Sequence, residues 1–477
     1  MKNKLIITCA TLLLISFLPV SLFAQEDQQK QETQKKEPEG LKFTGLPLIN
    51  FSTDDGFGMG VRVYGTYYEK DYAPFKYQAY GQYYRTTKGY EYHEASLDAL
   101  RFIGTPWRFR INAGLERYLN AQYYGYSNYQ DIQRQKKIKR GELPIHGSLT
   151  TTPDLYELND DIKLNANFVN NTGAPIEAKL NPSRKQLKDQ QDKYYNYDSI
   201  KPFFTITTED WVTKNSDSIF RNVKWLVGMR LQRYRIQSYQ DDKESGNAWA
   251  NGKTLIDIDK PVGYDATEDA RFVNSVRLGL AYDSRPRVRE LNPNSGTFTD
   301  IHYEGVGKST GSHYTFNRYT ATWRQYYDIM PSFFNRFDKE LVFAYRLLGQ
   351  YTQGNAPFFE MGRIYTMRES ALGLGGNGGI RGYPANQFVD RIMTVFNTEL
   401  RLTTFKVDAL GGIDFVLLGY YDVGRVAHDW SEWQMKDMHR AGGAGLRLVW
   451  QRNTIINISS GRSKYESNTN FSFNHMF

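Results

Sequence analysis

The sequence predicts an all-β protein, a transmembrane antiparallel β-barrel of about sixteen strands, on three observations. The first is a mean hydropathy of −0.61, too polar for a helical bundle, which would need several apolar runs of about 20 residues. The second is that the one long apolar run, Leu5 to Ala24, stands at the extreme N-terminus. The third is that from Phe43 onward apolar and polar residues alternate with a period of two, which means strand rather than helix.

The apolar run has the layout of a secretory signal peptide over residues 1–24. Lys2 and Lys4 precede it, and Ser21-Leu22-Phe23-Ala24 closes it on a small residue. Cys9, the only cysteine, lies inside the run and not at its end, which argues against lipid attachment. The exported chain would then hold no cysteine and no disulfide. Residues 25–44, opening with a stretch rich in Gln, Glu and Lys, read as a short disordered periplasmic segment, leaving 45–477 for the barrel. The net charge of +8 falls to +6 once Lys2 and Lys4 leave with the leader, which has no acidic residue. Charges of both signs are scattered, so nucleic acid is not an expected partner. A barrel lumen, or loops facing lipopolysaccharide, accounts for the basic excess.

The alternation is clearest in four segments. Phe57, Met59, Val61, Val63 and Tyr67 share one face, with Arg62, Tyr64, Thr66 and Tyr68 on the other. Trp107 to Leu115 alternates with Arg108, Arg110, Asn112 and Glu116, and Trp225 to Leu231 with Lys224, Arg230 and Gln232. Leu341, Phe343, Tyr345 and Leu347 stand opposite Arg346 and Gln350. One face accepts charge along its whole length, and the segments run about ten residues or more, enough for a tilted strand to cross a bilayer. Tyrosines and other aromatics recur at segment ends, as interfacial girdles require. The expected strands are 45–52, 57–69, 75–86, 90–102, 107–119, 201–212, 222–237, 271–283, 296–305, 314–328, 339–352, 391–403, 413–423, 440–451, 453–461 and 469–477.

With a periplasmic N-terminus, the long gaps 120–200, 238–270 and 353–390 all fall outside, and the short turns fall inside. The polar stretch from Ala121 to Ile200 reads as a surface loop open to protease. The C-terminus, with Phe471, Phe473 and the terminal Phe477 alternating with polar residues, resembles the signal by which barrel-assembly machinery recognises its clients. His475 is polar where another hydrophobe is usual.

Between the eleventh and twelfth strands lies Leu372-Gly-Leu-Gly-Gly-Asn-Gly-Gly379-Ile-Arg381-Gly382-Tyr383, where Arg381 is the one charge among clustered glycines. A phosphate-binding loop would need a following Lys-Ser/Thr and a helix, and neither is present. The segment resembles the Arg-Gly-aromatic motif of the BamA/TamA superfamily, the bacterial surface antigen family. There the sixth outer loop folds back into the barrel and carries that arginine. Gly279-Leu-Ala-Tyr-Asp283-Ser-Arg285 with Asn292-Pro-Asn-Ser-Gly296 is similar to that family's barrel-centre signature, and Tyr123 to Asn128 more loosely to another of its turns. Glu399 and Asp422 look like the acids that receive the loop arginine. A turn centred between Leu410 and Gly411 would set those two acids level on adjacent strands, both pointing inward. Family members usually carry polypeptide-transport-associated domains before the barrel. The roughly twenty residues after Ala24 are too few for one, so the resemblance is to a barrel-only branch.

Two functions follow as expectations. The resemblance implies an assembly or translocation barrel that helps insert or export polypeptides, or lipids, across the outer membrane. It would work through a weak seam between first and last strands, where Pro47 cannot donate a hydrogen bond. The alternative is a passive porin or surface adhesin with the loop as a mere plug. Seven histidines are scattered without metal spacing, and His302, between Asp300 and Glu304, reads as a polar lumen residue. No catalytic group, metal or cofactor is expected.

Overall fold

The computed structural model describes residues 39–52, 56–70, 72, 75–126, 196–237, 256, 260–286, 289, 292–366, 370–407, 412–436, 438–450, 454–463 and 467–473. Sixteen strands form one antiparallel meander. They are β1 (Gly40–Ser52), β2 (Gly56–Tyr68), β3 (Tyr77–Thr86), β4 (Tyr90–Leu100), β5 (Arg108–Gln122), β6 (Asn196–Trp211), β7 (Val223–Gln237) and β8 (Ser275–Asp283). Then follow β9 (Gly296–Val306), β10 (Phe316–Asp328), β11 (Glu340–Gly354), β12 (Ile392–Val407), β13 (Ile413–Ala427), β14 (His439–Trp450), β15 (Thr454–Ser463) and β16 (Ser467–Phe473). Each pairs with its sequence neighbour, and β1 meets β16 at Ser52 opposite Asn470. The remaining member of the sheet is the two-residue segment Arg271–Phe272, which extends the pairing of β7.

Alternation sorts the side chains as the period requires. Phe57, Met59, Val61, Val63 and Tyr67 of β2 are exposed on the outer face, as are Leu278 and Leu280 of β8 and Leu400 of β12. Residues of the opposite parity point into the lumen, among them the buried Arg230, Arg318, Arg346, Glu399, Asp422 and Arg447. Apolar outside and charged inside is the inverse of a soluble sandwich. It fits a wall whose outer solvent is hydrocarbon.

The strand ends differ from expectation in a few places. β1 begins at Gly40, so Gly40 to Thr44 belong to the barrel and not to a disordered spacer. Pro47 therefore lies mid-strand, opposite Val61 of β2. That position is tolerable because β1 is a terminal strand, where a missing N–H costs least. β6 starts at Asn196, shortening the loop after β5. The leader, residues 25–38, most of the expected surface loop (127–195) and Phe477 lie outside the described residues, whereas Phe471 and Phe473 pair with Ile458 and Ile456 of β15.

The connection from Gly354 to Ile392, the sixth outer loop, turns inward. It holds the short helix Phe358–Met361 and a two-stranded ribbon, Arg363–Tyr365 against Ser370–Leu372. Its apolar residues bury two clusters. Leu374, Ile380, Tyr383 and Phe388 pack on Leu348, Met393, Val395, Val426 and Ala441 of the β11–β14 wall. Phe358, Phe359 and Met361 pack with Tyr123, Tyr197, Tyr234, Ile256 and Tyr314, drawn from the outer ends of β5 to β7 and from neighbouring outer loops.

Candidate functional site

Six-residue spacing brings Leu374 and Ile380 onto the wall, and the glycines between them let the chain fold back tightly. Gly375 sits at φ +116°, and an added Cβ would lie 2.1 Å from the Pro384 carbonyl, so only glycine fits there. Gly382, at φ +120°, sits where a Cβ would come within 2.9 Å of Ala441. The turn is held by Gly376 N–H donating to the Tyr383 carbonyl at 2.8 Å.

This fold places Arg381 in the barrel interior, 2% exposed. Its Nε and Nη2 donate to the two oxygens of Asp422, both at 2.8 Å, and its backbone N–H donates to Oδ2 at 3.0 Å. Nη1 donates to Glu399 Oε1 at 2.5 Å. The guanidinium lies 3.6 Å from the Tyr420 ring centre, a close cation–π contact. Burial opposes its charge, but Asp422 and Glu399 hold the guanidinium above its ordinary value. Two-pronged pairing of this kind is the strongest geometry open to an arginine.

A wider network surrounds this pair. Asn397 Nδ2 donates to Asp422 Oδ1 and to the Gly379 carbonyl, each at 2.8 Å. Its Oδ1 accepts from Arg346, which also donates to the Gly378 carbonyl. Glu399 accepts from Arg401 at 2.8 Å and Arg447 at 3.3 Å. Tyr383 is buried, its carbonyl accepting from Asn468 of β16 at 3.3 Å.

Glu399 and Asp422 both point inward, yet they are not level. Asp422 stands opposite Asn397, and Glu399 opposite Tyr420. The reason is local. From Val407 opposite Ile413 to Phe405 opposite Phe415 the register would carry Glu399 to Tyr421. That would turn Glu399 to the outer face, level with the exposed Tyr421. Thr404 is an extra residue, a bulge between Thr403 and Phe405, and it shifts the pairing by one and restores the parity.

A second attachment was not legible in the sequence. Glu360, fully buried in the short loop helix, accepts from Arg230 of β7 at 2.9 and 3.1 Å and from Arg318 of β10 at 3.0 Å. Tyr234 donates to it at 2.8 Å. Glu304 of β9 joins the same two arginines from the wall. Burial pushes the Glu360 carboxyl up, but Arg230 and Arg318 outweigh it and hold the group below the usual range. Further round, Arg363 reaches Glu116 of β5 at 3.1 Å, and Lys201 also pairs with that carboxylate. The loop thus offers cations to acids on β12, β13 and β5, and an anion to arginines on β7 and β10. A polar cavity of about 310 Å³ remains between the loop and β4 to β8, lined in part by Tyr92, Asn112, Phe203 and Arg277.

The expected family signature also has a structural basis. Asp283 accepts from Arg285 at 2.9 Å and Lys224 at 3.4 Å, and Gly296 at φ +92° lets β9 pass close to the Ser284 carbonyl. His302 is buried in the wall, and Glu304, two residues along the same strand, is engaged by Arg230 and Arg318. Asn397, Arg401, Tyr420 and Arg447 were missed as site residues, although their inward parity was readable. Glu360 had no such signal, because it lies in a loop without period.

A membrane-type barrel whose sixth outer loop is ion-paired inside the lumen defines a plugged outer-membrane barrel. The chain belongs to the Omp85 superfamily, whose domain matches residues 75–459. Among solved structures, BamA from Haemophilus ducreyi lacking POTRA domains 1–3 is similar at 11% identity and a TM-score of 0.49, covering 92% of this chain and 70% of that one. CdiB from Acinetobacter baumannii is similar at 12% identity and 0.47, covering 92% and 60%. CdiB from Escherichia coli is similar at 9% identity and 0.49, covering 90% and 62%. This chain therefore spans roughly 60 to 70% of the length of those three. No curated protein sequence matches it.

Proposed function

We propose that this barrel helps insert or export polypeptides at the bacterial outer membrane, acting without catalysing a bond change. The observation that carries the reading is the Arg381–Asp422–Glu399 attachment, which fixes the sixth loop against β12 and β13 inside a superfamily barrel. A loop so held braces the lumen wall and leaves the β1–β16 seam as the place where the wall can yield. Pro47, which cannot donate across to a neighbouring strand, lies in β1.

The test is photo-crosslinking in living cells, with the reactive group placed in turn at Phe43 and Phe51 of β1 and at Leu278 of β8. Adducts to other polypeptides at the β1 positions, and none at Leu278, are expected. Adducts at neither site, together with a large steady conductance showing solute preference in planar bilayers, would overturn the proposal in favour of a passive pore.

A further inference from the structure

The short-turn end of the barrel carries apolar residues at the tips of three separate turns. Ile103, between β4 and β5, is 81% exposed, and Ile219, between β6 and β7, is 85% exposed beside Phe220. Between β10 and β11, Met330, Phe333 and Phe337 are all exposed on a single-turn helix and the turn after it. Two of these residues occupy costly backbone positions. Ile103 has φ +51° and Met330 φ +52°, in the left-handed region where a β-branched or long side chain is disfavoured and Gly or Asn would sit without strain. Neither packing nor backbone geometry accounts for an isoleucine there.

The same turns continue the lipid-facing band. Trp107 lies just beyond Ile103 and meets Trp225 edge to face at 5.5 Å, and Phe102 packs on Phe109 at 5.9 Å. That aromatic row joins the first two turns along the outer wall. Each tip also has exposed cations beside it: Arg101, Lys214 with Arg221, and Arg336 with Lys339. Apolar tips flanked by basic side chains, at the end of an apolar wall, match what a lipid interface selects: side chains that embed below the headgroups, with cations reaching back to phosphate. We infer that Ile103, Ile219 and Phe337 anchor this end of the barrel in the inner leaflet of its membrane, with a phospholipid surface as their partner. The anchors stand on the wall away from the β1–β16 seam, and the inference does not depend on what the barrel transports.

The only cysteine, Cys9, lies in the leader segment, so single cysteines can be labelled cleanly in the chain beginning at Gln25. Ile103→Cys, Ile219→Cys and Phe337→Cys, with Lys308→Cys in the outer β9–β10 connection as the exposed polar reference, would each carry an environment-sensitive fluorophore. They would be reconstituted in phosphatidylethanolamine–phosphatidylglycerol vesicles with brominated acyl chains. Heat-modifiable gel migration certifies each variant as folded. If one fails that check, the other two decide. The expected result is at least twofold quenching by brominated lipid at the three tips, little at position 308, and the reverse order with aqueous iodide. Iodide quenching at all four positions overturns the inference. Tips open to iodide in vesicles but protected in whole envelopes would overturn it too, and would indicate a protein partner.

Discussion

Arg381 brings a permanent charge into a site with almost no water, which is tolerable only because four of its donors find carboxylate oxygens. Asp422 and Glu399 do different work. Asp422 is the two-pronged partner with Asn397 beside it, whereas Glu399 is shared among Arg381, Arg401 and Arg447. Removing Arg381 leaves Asp422 buried without its main cation, and Asp422→Ala leaves the guanidinium leaning on Glu399 alone. Breaking one side of such a pair costs about 3–5 kcal/mol. Arg381→Ala and Asp422→Ala should therefore each lower the temperature at which the folded band is lost on unboiled gels. The double variant should cost clearly less than their sum, because both changes remove the same interaction. Strict additivity would mean the pair contributes nothing jointly. In the sequence a lone charge among glycines marked Arg381, and the family resemblance singled out Glu399 and Asp422 among the inward acids. The Tyr420 face beneath the guanidinium was hidden by the two-residue difference in register.

Among the elements, the strands were the most legible and the connections the least. Period-two alternation located all sixteen strands to within a few residues, because lipid outside and charge inside impose opposite demands on successive positions. It could not show where pairing is interrupted. The bulge at Thr404 has no composition of its own, yet it lets Glu399 face the lumen together with Asp422. Nor could alternation reveal Glu360, whose helix is ordered by aromatic packing of Phe358 on Tyr123 and Tyr197 and not by any periodicity. Thr404 sits between the Thr403–Val416 and Phe405–Phe415 pairs, so deleting it joins two pairs already in register. The Thr404 deletion variant should therefore keep heat-modifiable migration and melt close to the parent. Deleting Val416, which is paired, would instead slip the pairing beyond it by one residue and turn Asp422 toward lipid. That variant should lose heat-modifiable migration or melt at least as early as Asp422→Ala. Equal behaviour of the two deletions would show that the bulge does not set the register.

For the molecule as a whole, the sixth loop is tied to separate parts of the wall by bonds of opposite polarity, with a further tie from Arg363 to Glu116 of β5. Arg381 binds acids on β12 and β13, and Glu360 binds arginines on β7 and β10. A loop held at one end could swing clear of the lumen, but one held at both ends spans it. Its outer half is also covered by the aromatic cluster around Phe358 and Phe359. A polar cavity of about 310 Å³ lies beside it, of side-chain dimensions. Such a barrel should pass little steady ionic current in a planar bilayer. Releasing one attachment leaves the other in place, so Arg381→Ala or Glu360→Ala alone should raise conductance only modestly. The double variant leaves only the Arg363–Glu116 tie and should open long-lived conducting states, with a current greater than the two single increments combined. This is the opposite of the stability cycle at Arg381 and Asp422, because here the two changes act on separate attachments of one plug. A parent barrel that already conducts strongly and steadily, or a double variant no more open than either single one, would show that the two attachments do not together hold the plug in place.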